Sequence, residues 1–175
     1  MAVDLTELND IVETGIKEIS QYRFECILNA ERLLADEYDL DDLNWESVPY
    51  GESDVDLVPD DRRGIYAFTL KAPHPVLPPH GYVMYIGIAG RRSNRSLRSR
   101  YRDYLNTRKV AKRLTIARLI GTWHNILQFQ FAPVDADMSS EDLEQLEKQL
   151  NSCMMPVFSD GDLEAETKAK RKAFR

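Results

Sequence analysis

The sequence predicts an α+β fold: a small, mostly antiparallel three-stranded sheet flanked by helices, behind an N-terminal helical extension. Three observations point to it. Residues 64–70 (GIYAFTL) and 81–88 (GYVMYIGI) are rich in β-branched and aromatic residues, and residues 127–134 (LQFQFAPV) alternate apolar with polar as a half-buried strand does. The segments between and around them carry apolar residues at helical spacing. The resulting order, αββααβαα, has too few strands for a doubly wound sheet.

Each element follows from local pattern. Residues 4–35 place Leu5, Leu8, Ile11, Val12, Ile16, Ile19, Tyr22, Cys26, Ile27, Ala30, Leu33 and Leu34 at three-to-four spacing, which predicts a helix. Gly15 is its weak point, since Gly costs about 1 kcal/mol relative to Ala. Residues 36–62 hold 11 acids and no Lys or Arg before Arg62. Pro49, Gly51 and Pro59 punctuate them, so they read as an irregular connector anchored by Trp45 and Tyr50. The strands 64–70 and 81–88 enclose KAPHPVLPPH, whose four prolines exclude a central strand or helix. The pair reads as a hairpin with an elaborated loop. Residues 95–106 and 109–125 read as two helices, the second with Val110, Leu114, Ala117, Arg118, Ile120 and Gly121 in helical register. Ser139 or Ser140 caps a helix running to about Cys153, with acids in its first turn and Pro156 as its stop. A last helix over about 162–174 begins acidic and ends basic, as the helix dipole favours. Trp123, Met154 and Met155 read as core.

The 175 residues are 43% hydrophobic and 30% charged, the mix of one ordinary globular domain with an appendage. A net charge of −6 argues against a protein that coats nucleic acid or an anionic membrane. That total hides a strong asymmetry. Residues 1–61 hold 3 basic and 18 acidic residues; residues 62–118 hold 14 basic residues and one acid, Asp103; residues 119–175 hold 6 basic and 10 acidic. The middle block, net +13, suits either a solvated basic face or a local polyanion site. No apolar run is long enough to span a membrane, the first ten residues are acidic where a signal peptide is basic, and the two cysteines form no metal or disulfide framework, so a cytoplasmic location is expected.

His74, His80 and His124 are not spaced as metal ligands, and no phosphate-binding glycine loop or nucleophile triad is present. What remains is Gly64-Ile65-Tyr66 and Tyr85-Ile86-Gly87, one word in each strand of the hairpin. Beyond them Arg100 and Tyr104 lie four apart on one helix face, and Glu147 is followed by Leu150 and Pro156. In this order and register the chain resembles the GIY-YIG nuclease domain over roughly residues 62–160. The resemblance implies a catalytic module there, with an acidic helical extension and connector over 1–61 and a helix over 161–175. The spacing between the two words is longer than is usual in that family. Ile88 stands where some members carry a basic residue, and Ser159 stands at the family's Asn position.

The resemblance implies a Mg²⁺-dependent DNA endonuclease, and the residue types suit phosphodiester hydrolysis. Glu147 would hold Mg²⁺ or another divalent cation, with waters completing its shell. Arg100 would clamp the scissile phosphate, since guanidinium matches phosphate geometry. Tyr66 or Tyr85 would relay or accept the water's proton, which requires a phenol pKa well below its usual value near 10. Tyr104 would orient water or phosphate, and Ser159 would donate a hydrogen bond. Arg91, Arg92, Arg95 and Arg98 would track the flanking DNA backbone. A second reading is a catalytically inactive nucleic-acid-binding or partner-binding module on the same fold. In either, the acidic extension would cover the basic groove, support a homodimer or dock a protein partner.

Overall fold

The computed structural model describes residues 6–28, 30–33, 43–71, 81–91, 93–159, 161 and 163–173. The proline-rich loop over 72–80 and Arg92 lie outside the described residues. The elements in chain order are α1 (Thr6–Ser20), α2 (Ala30–Leu33), β1 (Glu46–Pro49), β2 (Gly64–Leu70), β3 (Tyr82–Ala89), α3 (Leu97–Leu105), α4 (Thr107–Val110), α5 (Leu114–Trp123), β4 (Leu127–Pro133), α6 (Ser140–Met154) and α7 (Ala165–Ala173).

The α+β class is observed, and the sheet is antiparallel, but it has four strands, in the order β1-β4-β2-β3. The added strand, β1, lies within the expected irregular connector. Only Val48 of its four residues is buried, so it carries no alternation long enough to read, and Pro49 disguises its end. Pairing with β4 fixes it, Val48 lying opposite Phe129.

The two-residue repeat of the strands divides the core into two layers. Tyr66, Phe68 and Leu70 of β2 face a large aromatic cluster with Tyr85, Tyr101, Tyr104, Phe129, Phe131 and Trp123, roofed by α3 and α5. Ile65 and Ala67 face the other way, onto Leu143, Leu146 and Leu150 of α6. Ser139 caps α6 by accepting from the Asp142 N–H at 3.0 Å. The helix ends at Met155, left-handed at φ 39°, whose N–H bonds the Asn151 carbonyl.

β3 is an edge strand, and its edge is covered rather than left open. The Phe158 N–H donates to the Met84 carbonyl at 2.9 Å. The Ser159 hydroxyl accepts from the Ile86 N–H at 3.0 Å and donates to the Ile86 carbonyl at 3.2 Å. Past Ile86 this cover stops, and Ile88 lines a cleft instead.

Several expected helices differ. The run over 4–35 is not continuous: α1 stops at Ser20, and an irregular stretch separates it from the single turn of α2. Gly15 does not break α1. The apolar side chains of Leu8, Ile11, Val12, Ile16 and Ile19 on α1 are exposed. The helix expected over 109–125 is split into α4 and α5. The buried positions of α5 are Ile116, Leu119 and Trp123, while Leu114, Arg118 and Gly121 face outward. Tyr50 does anchor the connector, its hydroxyl donating to the Tyr104 carbonyl at 2.7 Å, whereas Trp45 stays 39% exposed.

The glycines of both sequence words have a steric reason. Tyr66 lies directly across from Gly87. A Cβ at Gly87 would sit 2.5 Å from the Tyr66 hydroxyl oxygen, and one at Gly64 would sit 2.3 Å from the Ala132 carbonyl oxygen. Gly121, on α5, has open space where its Cβ would be. Gly87→Ala is therefore expected to destabilise by about 1–3 kcal/mol through overpacking, lowering Tm by several degrees. Gly121→Ala is expected to raise Tm through helix propensity. Thermal unfolding of the two variants checks both signs.

Candidate active site

α3 is set by its cap and its neighbours. Ser96 caps it, its Oγ accepting from the Ser99 N–H at 3.1 Å and donating to Asp60 at 3.1 Å. Leu97, Tyr101 and Tyr104 are its buried face, and Arg100 lies beside that face. This brings Arg100 and Tyr104 onto Tyr66 of β2. The Tyr66 phenol is wholly buried, its oxygen 2.6 Å from that of Tyr104, and it accepts a hydrogen bond from Arg100 Nε at 3.0 Å. The Arg100 guanidinium lies 5.4 Å from the centre of the Tyr104 ring.

A second arginine, absent from the sequence expectations, completes the corner. Arg113, just before α5, lies 5.1 Å from the centre of the same Tyr104 ring, and its Nη2 donates to the Tyr85 hydroxyl at 3.4 Å. Tyr104 is thus packed against two guanidinium groups, each held by cation–π attraction. The one sequence signal for Arg113 is its place in residues 104–134, which contain no acid.

These groups border a cleft of about 470 Å³ lined by Tyr85, Ile88, Gly90, Arg91, Ser93, Arg95, Arg100, Arg113 and Glu147. Among the described residues, four arginines and one carboxylate line it. The cleft sits where the open end of the β3 edge lets residues from both faces of the sheet meet: Tyr85 and Arg100 from the aromatic layer, Glu147 from α6.

The structure sorts the expected site residues. Tyr85, Arg100 and Glu147 converge on the cleft, with Arg91 and Arg95 at its wall. Tyr66 and Tyr104 are buried behind it, so they hold Arg100 rather than face a ligand. The Ser159 hydroxyl is engaged on both sides by the Ile86 backbone and serves the sheet edge. Arg98 is tied into the connector, donating to the carbonyls of Val58 and Asp56 at 2.7 Å and lying 3.4 Å from the Asp56 carboxylate. Arg95 is paired with Asp103. Arg98 is thus a structural clasp, and Arg95 borders the cleft already neutralised. No residue of the acidic block lines the cleft among the described residues: Asp56 and Asp60 meet Arg98 on another side.

The tyrosines are not the low-pKa groups a base at neutral pH requires. Burial pushes the Tyr66 phenol well above its usual range; Tyr104 and Tyr85 add to this, and Arg100 offsets only part. Burial raises Tyr85 likewise, reinforced by Tyr104 and only partly opposed by Arg113 and Arg100. Both stay neutral and act through their hydroxyl hydrogen bonds.

Glu147 is 2% exposed and is paired with Arg91. One turn on, Asn151 donates from Nδ2 to the Glu147 carbonyl at 3.0 Å. The described residues contain no group of three or more His, Cys, Asp or Glu placed to hold a metal. A lone carboxylate still fits Mg²⁺ in the mode where waters and a substrate phosphate supply the remaining ligands. It does not fit a dedicated protein cage. Compared with protein-family models, curated proteins and solved structures, the chain finds no match.

The raised phenol pKa values carry a pH signature. The folded state holds these protons more tightly than the unfolded chain, so their stabilising contribution is full below about pH 10 and is lost as pH rises from there toward the folded-state values. Urea midpoints measured from about pH 8 to about pH 11 are expected to fall for the wild type and to fall less for Tyr66→Phe/Tyr85→Phe.

Proposed function

We propose that the chain is a diverged GIY-YIG-type nuclease that hydrolyses phosphodiester bonds in DNA with the help of Mg²⁺. The observation that carries this reading is the meeting of Tyr85, Arg100, Arg113 and Glu147 in one cation-rich cleft. Arg100 and Arg113 beside the Glu147 carboxylate suit an anion that arrives with a metal ion.

In this reading Arg100 and Arg113 grip the non-bridging oxygens of the scissile phosphate. Two like charges against one ring gain most when an anion lies between them, and they stabilise the charge that grows in the transition state. The Tyr66 hydroxyl fixes the direction of Arg100 by accepting from Nε, and with Nη1 3.9 Å from the Asp103 carboxylate, Nη2 is the group best placed for the phosphate. Tyr85, a neutral phenol at the cleft, orients the attacking water through its hydroxyl. Glu147 would hold the Mg²⁺, which would supply positive charge to the anionic transition state and lower the pKa of water. Arg91, half exposed, is the resting partner of Glu147 at the cleft wall.

A second reading, a nucleic-acid-binding module without cleavage, is favoured by one observation: the Ser159 hydroxyl is engaged by the Ile86 backbone and is not available to substrate. Plasmid nicking separates the two. The wild type is expected to convert supercoiled to nicked plasmid in Mg²⁺, and Arg100→Ala and Glu147→Ala are each expected to lose about 10²-fold or more. Cleavage that persists in both variants contradicts the mechanism. DNA binding without cleavage by the wild type selects the second reading.

A further inference from the structure

Of the cations expected to track the DNA backbone, Arg91 is paired with Glu147, Arg95 with Asp103, and Arg98 with Asp56 and Asp60; Arg102, outside that set, meets Asp56. A different set is not paired in this way. Arg108 on α4, Lys112 in the turn after it and Arg118 on α5 are exposed and form no ion pair with an acid among the described residues, although the Arg118 guanidinium lies 6.0 Å from the centre of the Phe158 ring and borders a pocket with Glu25. They belong to residues 104–134, which contain no Asp or Glu, so no carboxylate of this segment screens them. Lys109, beside Arg108, bonds Asp103 and ties the ridge back to α3.

This ridge is continuous with the cleft. Arg113 follows Lys112 directly and has its guanidinium in the cleft wall, beside Tyr85 and Tyr104. In sequence, exposed cations therefore flank the proposed phosphate grip on both sides, Arg108 and Lys112 before Arg113 and Arg118 after it. The outward positions of α5 besides Arg118 are Leu114, Thr115 and Gly121, none of which carries negative charge.

We infer that the α4–α5 corner, through Arg108, Lys112 and Arg118, is the surface along which duplex DNA flanking the cleft lays its phosphate backbone. This rests on the nucleic-acid reading of the cleft and adds where the rest of the duplex lies. Phosphate contacts of this kind position a duplex without reading its sequence. Each releases counterions, so each steepens the salt dependence of binding by about 0.9 in log–log slope.

The test uses the full chain carrying Glu147→Gln, so that DNA remains uncut, and a fluorescently labelled duplex followed by anisotropy. The parent is compared with the same chain carrying Arg108→Gln, Lys112→Gln and Arg118→Gln, and with a charge-matched control carrying Lys168→Gln, Lys170→Gln and Lys172→Gln on α7. All six side chains are exposed, so folding is retained, and circular dichroism verifies it. The ridge variant is expected to lose about 2.7 from the magnitude of the salt slope, so that its affinity falls about 40-fold less than the parent's between about 50 and 200 mM salt. The control is expected to keep the parent's slope. A parent that binds with a steep slope left unchanged in the ridge variant overturns the inference and leaves the reading of the cleft standing. Equal slope losses in ridge and control variants reduce the effect to net charge and also overturn it. A parent that binds no DNA at low salt overturns the reading of the cleft and the inference with it.

Discussion

The site depends on one buried phenol. Tyr66 points from the central strand β2 into the aromatic layer, where water does not reach its hydroxyl, so that hydroxyl must find its partners inside the protein. It finds two: the Tyr104 hydroxyl and Arg100 Nε. The demand runs both ways. The phenol needs a donor, and a half-buried guanidinium needs an acceptor for its Nε–H. The absence of a side chain at Gly87 makes room for the ring, and a hydrogen-bonded chain of tyrosines then fixes the position of a charge.

The rest of the site follows from where the sheet stops being covered. At Met84 and Ile86 of β3, Phe158 and Ser159 close the edge with backbone and hydroxyl hydrogen bonds. Where that cover ends, residues from opposite faces of the sheet come together: phenol and guanidinium from one side, the Glu147 carboxylate from the other. Neutralisation elsewhere sharpens the contrast. Acids of the connector and Asp103 hold Arg95, Arg98 and Arg102, so the charge still available to a ligand is gathered in the cleft and on the α4–α5 corner.

Much of this was legible in the sequence, for physical reasons that also mark the limits. β2, β3, β4 and α6 are long enough for their periodicity and caps to speak, and they lie within a residue or two of expectation. The Tyr66, Tyr85, Arg100, Tyr104 and Glu147 set does gather in one place, but in two tiers, because alternation tells which face a tyrosine takes and not how deep it lies. β1 was invisible because a four-residue strand with one buried side chain has no pattern of its own. On α5 Trp123 is buried as expected, but LTIARLIGTW is apolar nearly all round, so packing against the aromatic layer, not periodicity, buries Ile116 and Leu119 and leaves Leu114 exposed. Sequence displays the charges of Arg95 and Arg98 without their partners, Asp103 and Asp56, which only the fold brings to them. Arg113 was overlooked because its approach to Tyr85 and Tyr104 is wholly tertiary.

If the chain cleaves DNA as proposed, Tyr66 serves cleavage by holding Arg100, which a double-mutant cycle on cleavage with Tyr66→Phe, Arg100→Ala and the combination tests directly. The account predicts that Tyr66→Phe alone slows cleavage about 10- to 100-fold through a misplaced guanidinium, and that the double variant is no slower than Arg100→Ala, because nothing is left to position. Losses that multiply would contradict it, since Tyr66 would then act on the substrate independently of Arg100.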